Sequence, residues 1–127
     1  MLFIAKPNSD NFARNYLDYM ECDEIISKDI SECVRAAKSE GQLIWLEWAN
    51  DLTSAITKSK FKCPVMVRVH DHEIYMDRIL KVNWDNVDVI WFINRQAQED
   101  FNKKIKVKCK QFFLPNAVNP EPFTTRY

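Results

Sequence analysis

Glycine is almost absent from this chain: Gly41 stands alone in 127 residues. A dinucleotide-binding turn needs Gly-x-Gly-x-x-Gly, and a P-loop needs two glycines ahead of its lysine, because backbone must approach phosphate closely. Neither can be built from one glycine, so the chain does not hold a nucleotide by either device. Cysteine is present but not patterned. Cys22, Cys33, Cys63 and Cys109 contain no Cys-x-x-Cys pair, which points to free thiols in a reducing cytoplasm rather than a zinc site. Net charge is lacking too: 18 basic side chains balance 18 acidic ones, which argues against a nucleic-acid partner. No apolar run has the length of a membrane span, and the first residues lack the basic start of a signal peptide.

What is present suits one ordinary globular domain. The hydrophobic fraction is 46% and the charged fraction 28%, and the length leaves room for a single core. Strand-like and helix-like segments alternate. Residues 2–6 form a short apolar run closed by Pro7. Asn8, Ser9 and Asp10 then offer caps for a helix carrying Phe12, Tyr16, Leu17 and Met20. Residues 24–27 read as a second strand. Asp29 and Glu32 set a capping box for a helix with Ile30, Val34 and Ala37, which Gly41 ends. Residues 43–49 form a third strand, followed by a cap at Asn50-Asp51 and a helix bearing Leu52, Ala55 and Ile56. Residues 65–70 are the fourth. Asp71 can cap the next helix, whose apolar positions are Ile74, Met76, Ile79 and Leu80. Residues 87–93 are the fifth strand, Asn94 caps a helix with Ala97, Phe101 and Ile105, and residues 112–114 complete the set.

Strands apolar on both faces, each followed by a helix, predict a parallel sheet covered on both sides. With right-handed crossovers the expected fold is a doubly wound α/β sandwich of Rossmann or flavodoxin type, with six strands in the order 2-1-3-4-5-6. The domain is expected to span residues 1–115, and residues 116–127 to form an extended exit. Pro115, Pro120 and Pro122 crowd that exit, and proline neither donates to a ladder nor continues one.

The exit itself, Leu114-Pro115-Asn116-Ala117-Val118-Asn119 and then Phe123, resembles the I-P-N-G-V-(D/N)-x-x-x-F segment of GT-B glycosyltransferases. Ala117 stands where the family usually has glycine. The resemblance extends through Trp45-Leu46-Glu47-Trp48-Ala49 and Arg68-Val69-His70-Asp71. It implies that this chain is the amino-terminal, acceptor-side domain of such an enzyme, inactive alone. A second Rossmann-like domain of the same polypeptide would hold the nucleotide-sugar donor, so no cofactor is expected in this half. It further implies that His70 is the family's strand-end histidine, the expected catalytic group, beside the transferred sugar or a carbohydrate or lipid-linked acceptor. An imidazole so placed can take a proton from a hydroxyl. The alternative is a stand-alone flavodoxin-like binding or interaction module without catalysis. A receiver domain of a signalling pair does not fit, since Lys6-Pro7-Asn8 follows the first strand where acidic residues are needed.

In such sheets ligands bind at the carboxyl ends of the strands, near the switch between strands one and three. The expected substrate-binding residues there are Asn8, Ser9, Trp48, Asn50, Asp71, His72, Asn94 and Arg95. Asn50, Asp71 and Asn94 also have the bland reading of helix caps. His70, His72 and Glu73 point different ways around a turn, so no metal site is expected. Glu47 and Arg68 are single charges inside apolar runs on neighbouring strands, and burial predicts that they pair near the cleft. Lys103, Lys104, Lys106, Lys108 and Lys110 form a basic stretch. It reads as a solvated face, or as a peripheral contact with anionic headgroups at the inner membrane face.

Overall fold

The computed structural model describes residues 1–116. Six strands make one all-parallel sheet: β1 (Leu2–Ala5), β2 (Asp23–Ile26), β3 (Ile44–Glu47), β4 (Val65–Val69), β5 (Val89–Phe92) and β6 (Lys110–Phe113). Their order is 2-1-3-4-5-6, so the switch point lies between β1 and β3. The helices between them are α1 (Arg14–Leu17), α2 (Ile30–Ser39), α3 (Asp51–Ile56), α4 (Asp71–Tyr75) and α5 (Arg95–Lys104). The expected exit from 116 onward falls largely outside the described residues, including Ala117, Val118, Asn119 and Phe123.

The two faces of the sheet are covered unequally. One face buries Leu2, Ile4, Ile44, Leu46, Val65, Val67, Val69, Ile90 and Phe92. Against them pack Cys33 and Ala37 of α2, Leu52 and Ile56 of α3, Ile74 of α4, and Ala97 and Phe101 of α5. The other face carries the alternate side chains Phe3, Ala5, Trp45, Met66 and Trp91, met among the described residues by Ala13 and Leu17, with Tyr16 and Cys22 packed at its margin. Topology explains the inequality. Only the β1-to-β2 connection runs back across the sheet, and a right-handed crossover puts that one helix opposite all the others.

Local chemistry sets the helix starts. Asp29 accepts from Glu32 N–H at 3.1 Å and Asn94 accepts from Ala97 N–H at 2.7 Å, each closing an orphan donor of a first turn. Three expectations need correction. The segment after β1 is a 3-10 turn (Asn11–Ala13) followed by one turn of α1, so Phe12 is half exposed and Met20 lies outside the core. The helix after β4 breaks at Asp77, which takes a left-handed φ of 56°. A 3-10 turn (Arg78–Lys81) then continues at a new angle, burying Ile74 and Ile79 and leaving Met76 and Leu80 exposed. Gly41 does not cap α2. That helix ends at Ser39, and Glu40 Oε1 accepts from the Gly41 and Gln42 N–H groups.

Candidate functional site

The carboxyl ends of β3 and β4 hold an ionic group buried under aromatic rings. Glu47 and Arg68 are cross-strand partners in register, and their side chains are fully buried. Arg68 Nη1 donates to Glu47 Oε1 at 3.0 Å, and the same oxygen accepts from His70 Nε2 at 2.5 Å. The guanidinium lies over the Trp91 ring, 4.5 Å from its centroid, with Tyr16 5.6 Å away on another side. Arg68 Nη2 donates to Asn116 Oδ1. The structure thus brings together the two charges that stood out in apolar runs, adds His70, and ties all three to the exit asparagine.

The exit is held by more than Arg68. Trp91 Nε1 donates to Leu114 O at 2.9 Å, and the Tyr16 hydroxyl donates to Pro115 O. Residues 114–116 are therefore clamped by three side chains from the sparsely covered face. The pairing of Arg68 with a residue 48 positions later carries no local signal, and the sequence did not disclose it.

His70 lies just past β4, as expected, but it does not face an open cleft. Its relative exposure is 3%. Trp48 stacks on the imidazole with ring centroids 3.8 Å apart and planes 17° apart, and Phe12 sits 5.7 Å away on the same cluster. Trp48 reaches this position because its φ is 72°, a conformation costly for a bulky residue and typical of functional sites. Its indole N–H donates to Ser9 O at 2.7 Å, and its backbone N–H donates to Arg68 O at 3.0 Å. The expectation that His70 presents a free ring to an acceptor is corrected on this ground: one nitrogen is committed to Glu47 and Trp48 roofs the ring.

The other expected binding residues divide. Asn8 is exposed, with a left-handed φ of 64°, and Ser9 and Trp48 are partly exposed at the same rim. Asn50 and Asn94 are caps, Asn50 Oδ1 accepting from Thr53 N–H at 3.1 Å. His70 itself takes the N-cap position of α4, and Asp71 follows it. His72 is exposed, and the Arg95 guanidinium rests over the Phe113 ring, 5.2 Å from its centroid.

Glu73, one turn into α4, is 1% exposed and accepts from His70 N–H at 3.0 Å. Burial pushes its carboxyl up to about 8. The backbone N–H groups of His70 and Ala49 and the charge of Arg78 oppose that shift, and Glu47 reinforces it. Among the described residues, Glu47 Oε2, Arg68 Nε, Asp71 Oδ1 and Glu73 Oε2 are buried without a hydrogen-bond partner. Two of them lie at the ends of β3 and β4 and two on the first turn of α4, and each buried polar atom left without a partner costs about 1–3 kcal/mol.

A cavity of about 640 Å³ lies at the opposite end of the sheet, where Trp84 and Val87 meet Lys106, Lys108 and Lys110. It divides the expected basic stretch. Lys104 reaches the other way, to Asp77 at 2.6 Å and Ile74 O at 2.7 Å, and Lys103 pairs loosely with Asp100 at 3.9 Å. The five lysines do not make one face. The strand ends remain the better site, because the parallel order leaves its crevice there and four of the six buried side-chain polar atoms without a hydrogen-bond partner among the described residues lie there, the others being Arg14 Nε and Trp45 Nε1. Among the described residues, no helix is long and apolar enough to cross a membrane. No family model matches the chain, and no curated protein or solved structure matches it.

Proposed function

We propose that this chain is the amino-terminal, acceptor-side domain of a GT-B glycosyltransferase, and that its own task is to bind the acceptor sugar. The observation that carries the reading is the clamp on the exit. Asn116, the asparagine of the segment that resembles the family, is hydrogen-bonded to the buried Arg68 at the end of β4. A following nucleotide-sugar domain would thereby be held over the carboxyl edge, facing the rim made by Asn8, Ser9, Phe12 and Trp48.

In this reading Trp48 and Phe12 form an apolar platform for the face of a sugar ring, with the polar groups of Asn8 and Ser9 beside it. His70 is a positioning residue: it carries the indole on its ring, while Glu47 fixes the imidazole. The fold suits either reading, and the resemblance favours this assignment over a plain interaction module. The left-handed backbone at Trp48 favours it further, since such strain in a bulky residue clusters at functional sites.

Titrating the isolated chain with neutral oligosaccharides, followed by amide and indole NMR signals, tests the reading. Saturable shifts should centre on the Trp48 indole N–H and Phe12, and Trp48→Ala should remove them. Calorimetry with UDP- and GDP-sugars should give no binding tighter than millimolar. A micromolar nucleotide-sugar site in this chain would overturn the proposal, as would a platform that no sugar perturbs.

A further inference from the structure

A second site lies at the switch point itself, on the helix-covered side of the strand ends. Lys6 after β1, Asn50, Asp51 and Ser54 around the start of α3, and Arg78 and Lys81 from the 3-10 turn line a cavity of about 300 Å³. Three cations meet one anion there. Lys6 Nζ is paired with Asp51 Oδ1 at 2.8 Å, whereas neither Arg78 nor Lys81 forms an ion pair among the described residues. They stand three apart on one 3-10 turn, where such positions eclipse, so both project from the same side. The turn begins at Asp77, whose φ of 56° is left-handed.

We propose that this cavity binds a phosphate group, gripped by Arg78 and Lys81 and completed by Lys6. A guanidinium offers two parallel N–H donors that match phosphate oxygens, and lysine adds a mobile point charge. Asn50 Oδ1 is already used by Thr53 N–H, so its amide N–H₂ is the group it can offer to an oxyanion. Ser54 Oγ donates to Asn50 O at 3.0 Å, which fixes the rim. Glu73 lies close enough to feel the charge of Arg78, yet burial keeps it protonated at neutral pH, so it does not cancel that charge. The site owes nothing to glycine-rich backbone, which this chain cannot build. Its phosphate belongs either to a phosphorylated small molecule or to a lipid headgroup. The inference stands apart from the sugar platform, because it uses neither Trp48 nor Phe12.

Titration of the chain with inorganic phosphate and pyrophosphate tests it. Saturable amide shifts should centre on Lys6, Asn50, Arg78 and Lys81, with pyrophosphate the tighter ligand and added salt weakening both. The double variant Arg78→Ala, Lys81→Ala changes exposed residues and should fold normally while losing roughly tenfold or more in affinity, each tenfold being about 1.4 kcal/mol. Asp51→Asn, which releases Lys6, should instead tighten binding, a gain that misfolding cannot imitate. Sedimentation with phosphatidylglycerol vesicles separates the sources: loss in the double variant assigns the headgroup, and pyrophosphate binding without vesicle binding assigns a soluble phosphate. No saturable shift with either anion, or affinity unchanged in the double variant, would overturn the site whatever the oligosaccharide titration shows.

Discussion

The two faces of this sheet solve burial differently. On the face covered by α2, α3, α4 and α5, apolar side chains interlock and no charge is enclosed among the strands. On the face where α1 is the one helix among the described residues, the strand ends enclose an arginine, a glutamate and a histidine beneath Tyr16, Trp48 and Trp91. A helix face supplies oily volume but few polar partners. Where helices are missing, large aromatic rings exclude water from the ions instead. The first arrangement stabilises in a graded way, losing a little for each methyl group removed. The second is all-or-none, because an ion left behind has no solvent to turn to.

Arg68→Ala tests that contrast most severely. Removing the guanidinium leaves Glu47 buried and Asn116 unheld, and should cost about 3–5 kcal/mol in urea melts. Adding Glu47→Ala should recover part of the loss. Near-neutral single variants would mean that the ions are solvated and the two faces do not differ.

Next in size is a pH effect at Glu73. Its folded value, raised by burial to about 8, lies above the ordinary glutamate value of about 4.3. Between those limits the native state binds a proton that the unfolded chain has lost. Stability is therefore fully present below about pH 4.3 and falls as pH rises toward 8, by up to about 1.4 kcal/mol per unit. Glu73→Gln should flatten that slope, measured as midpoints of chemical unfolding across the range. No difference in slope between the wild type and Glu73→Gln over that range would show the carboxyl to be ionised in the fold.

On the helix-covered face, Ile90→Val should cost only about 0.5–1.5 kcal/mol, and Asn94→Ala about 1 kcal/mol through loss of the α5 cap. Thermal melts of both variants sharpen the comparison. If Ile90→Val matched Arg68→Ala, graded and all-or-none burial would not be distinct here.

How much of this was legible beforehand follows the range of each interaction. Strand order was readable because the runs around Leu46, Val67 and Ile90 are apolar on both faces and alternate with capped helices. Glu47 and Arg68 were readable as a pair of opposites, since each is an isolated charge at the same place in adjacent strands. The bond from Arg68 to Asn116 was not, because nothing near either residue announces the other. Nor was the roof over His70. It depends on a left-handed backbone at Trp48, a conformation for which tryptophan has no propensity. Phe12 reads as a helix-core position but stands on a 3-10 turn, half exposed. The break at Asp77 has no signal in the apolar pattern, because Ile74, Met76, Ile79 and Leu80 fit one helical stripe, although only two of the four are inside.

Asn8, Trp48 and Asp77 all adopt positive φ, and none of them is glycine. The consequence lies in the unfolded chain. Glycine at these bends would relax the native backbone but would widen the denatured ensemble, an effect of about 0.4–1 kcal/mol at each position. This sequence does the reverse: it keeps the denatured ensemble narrow and accepts local distortion in the native one. At Asn8 and Asp77 a short polar side chain tolerates that distortion. At Trp48 the indole must stay seated on the imidazole to hold it, so melting this one contact would let the bend relax before the rest of the domain unfolds.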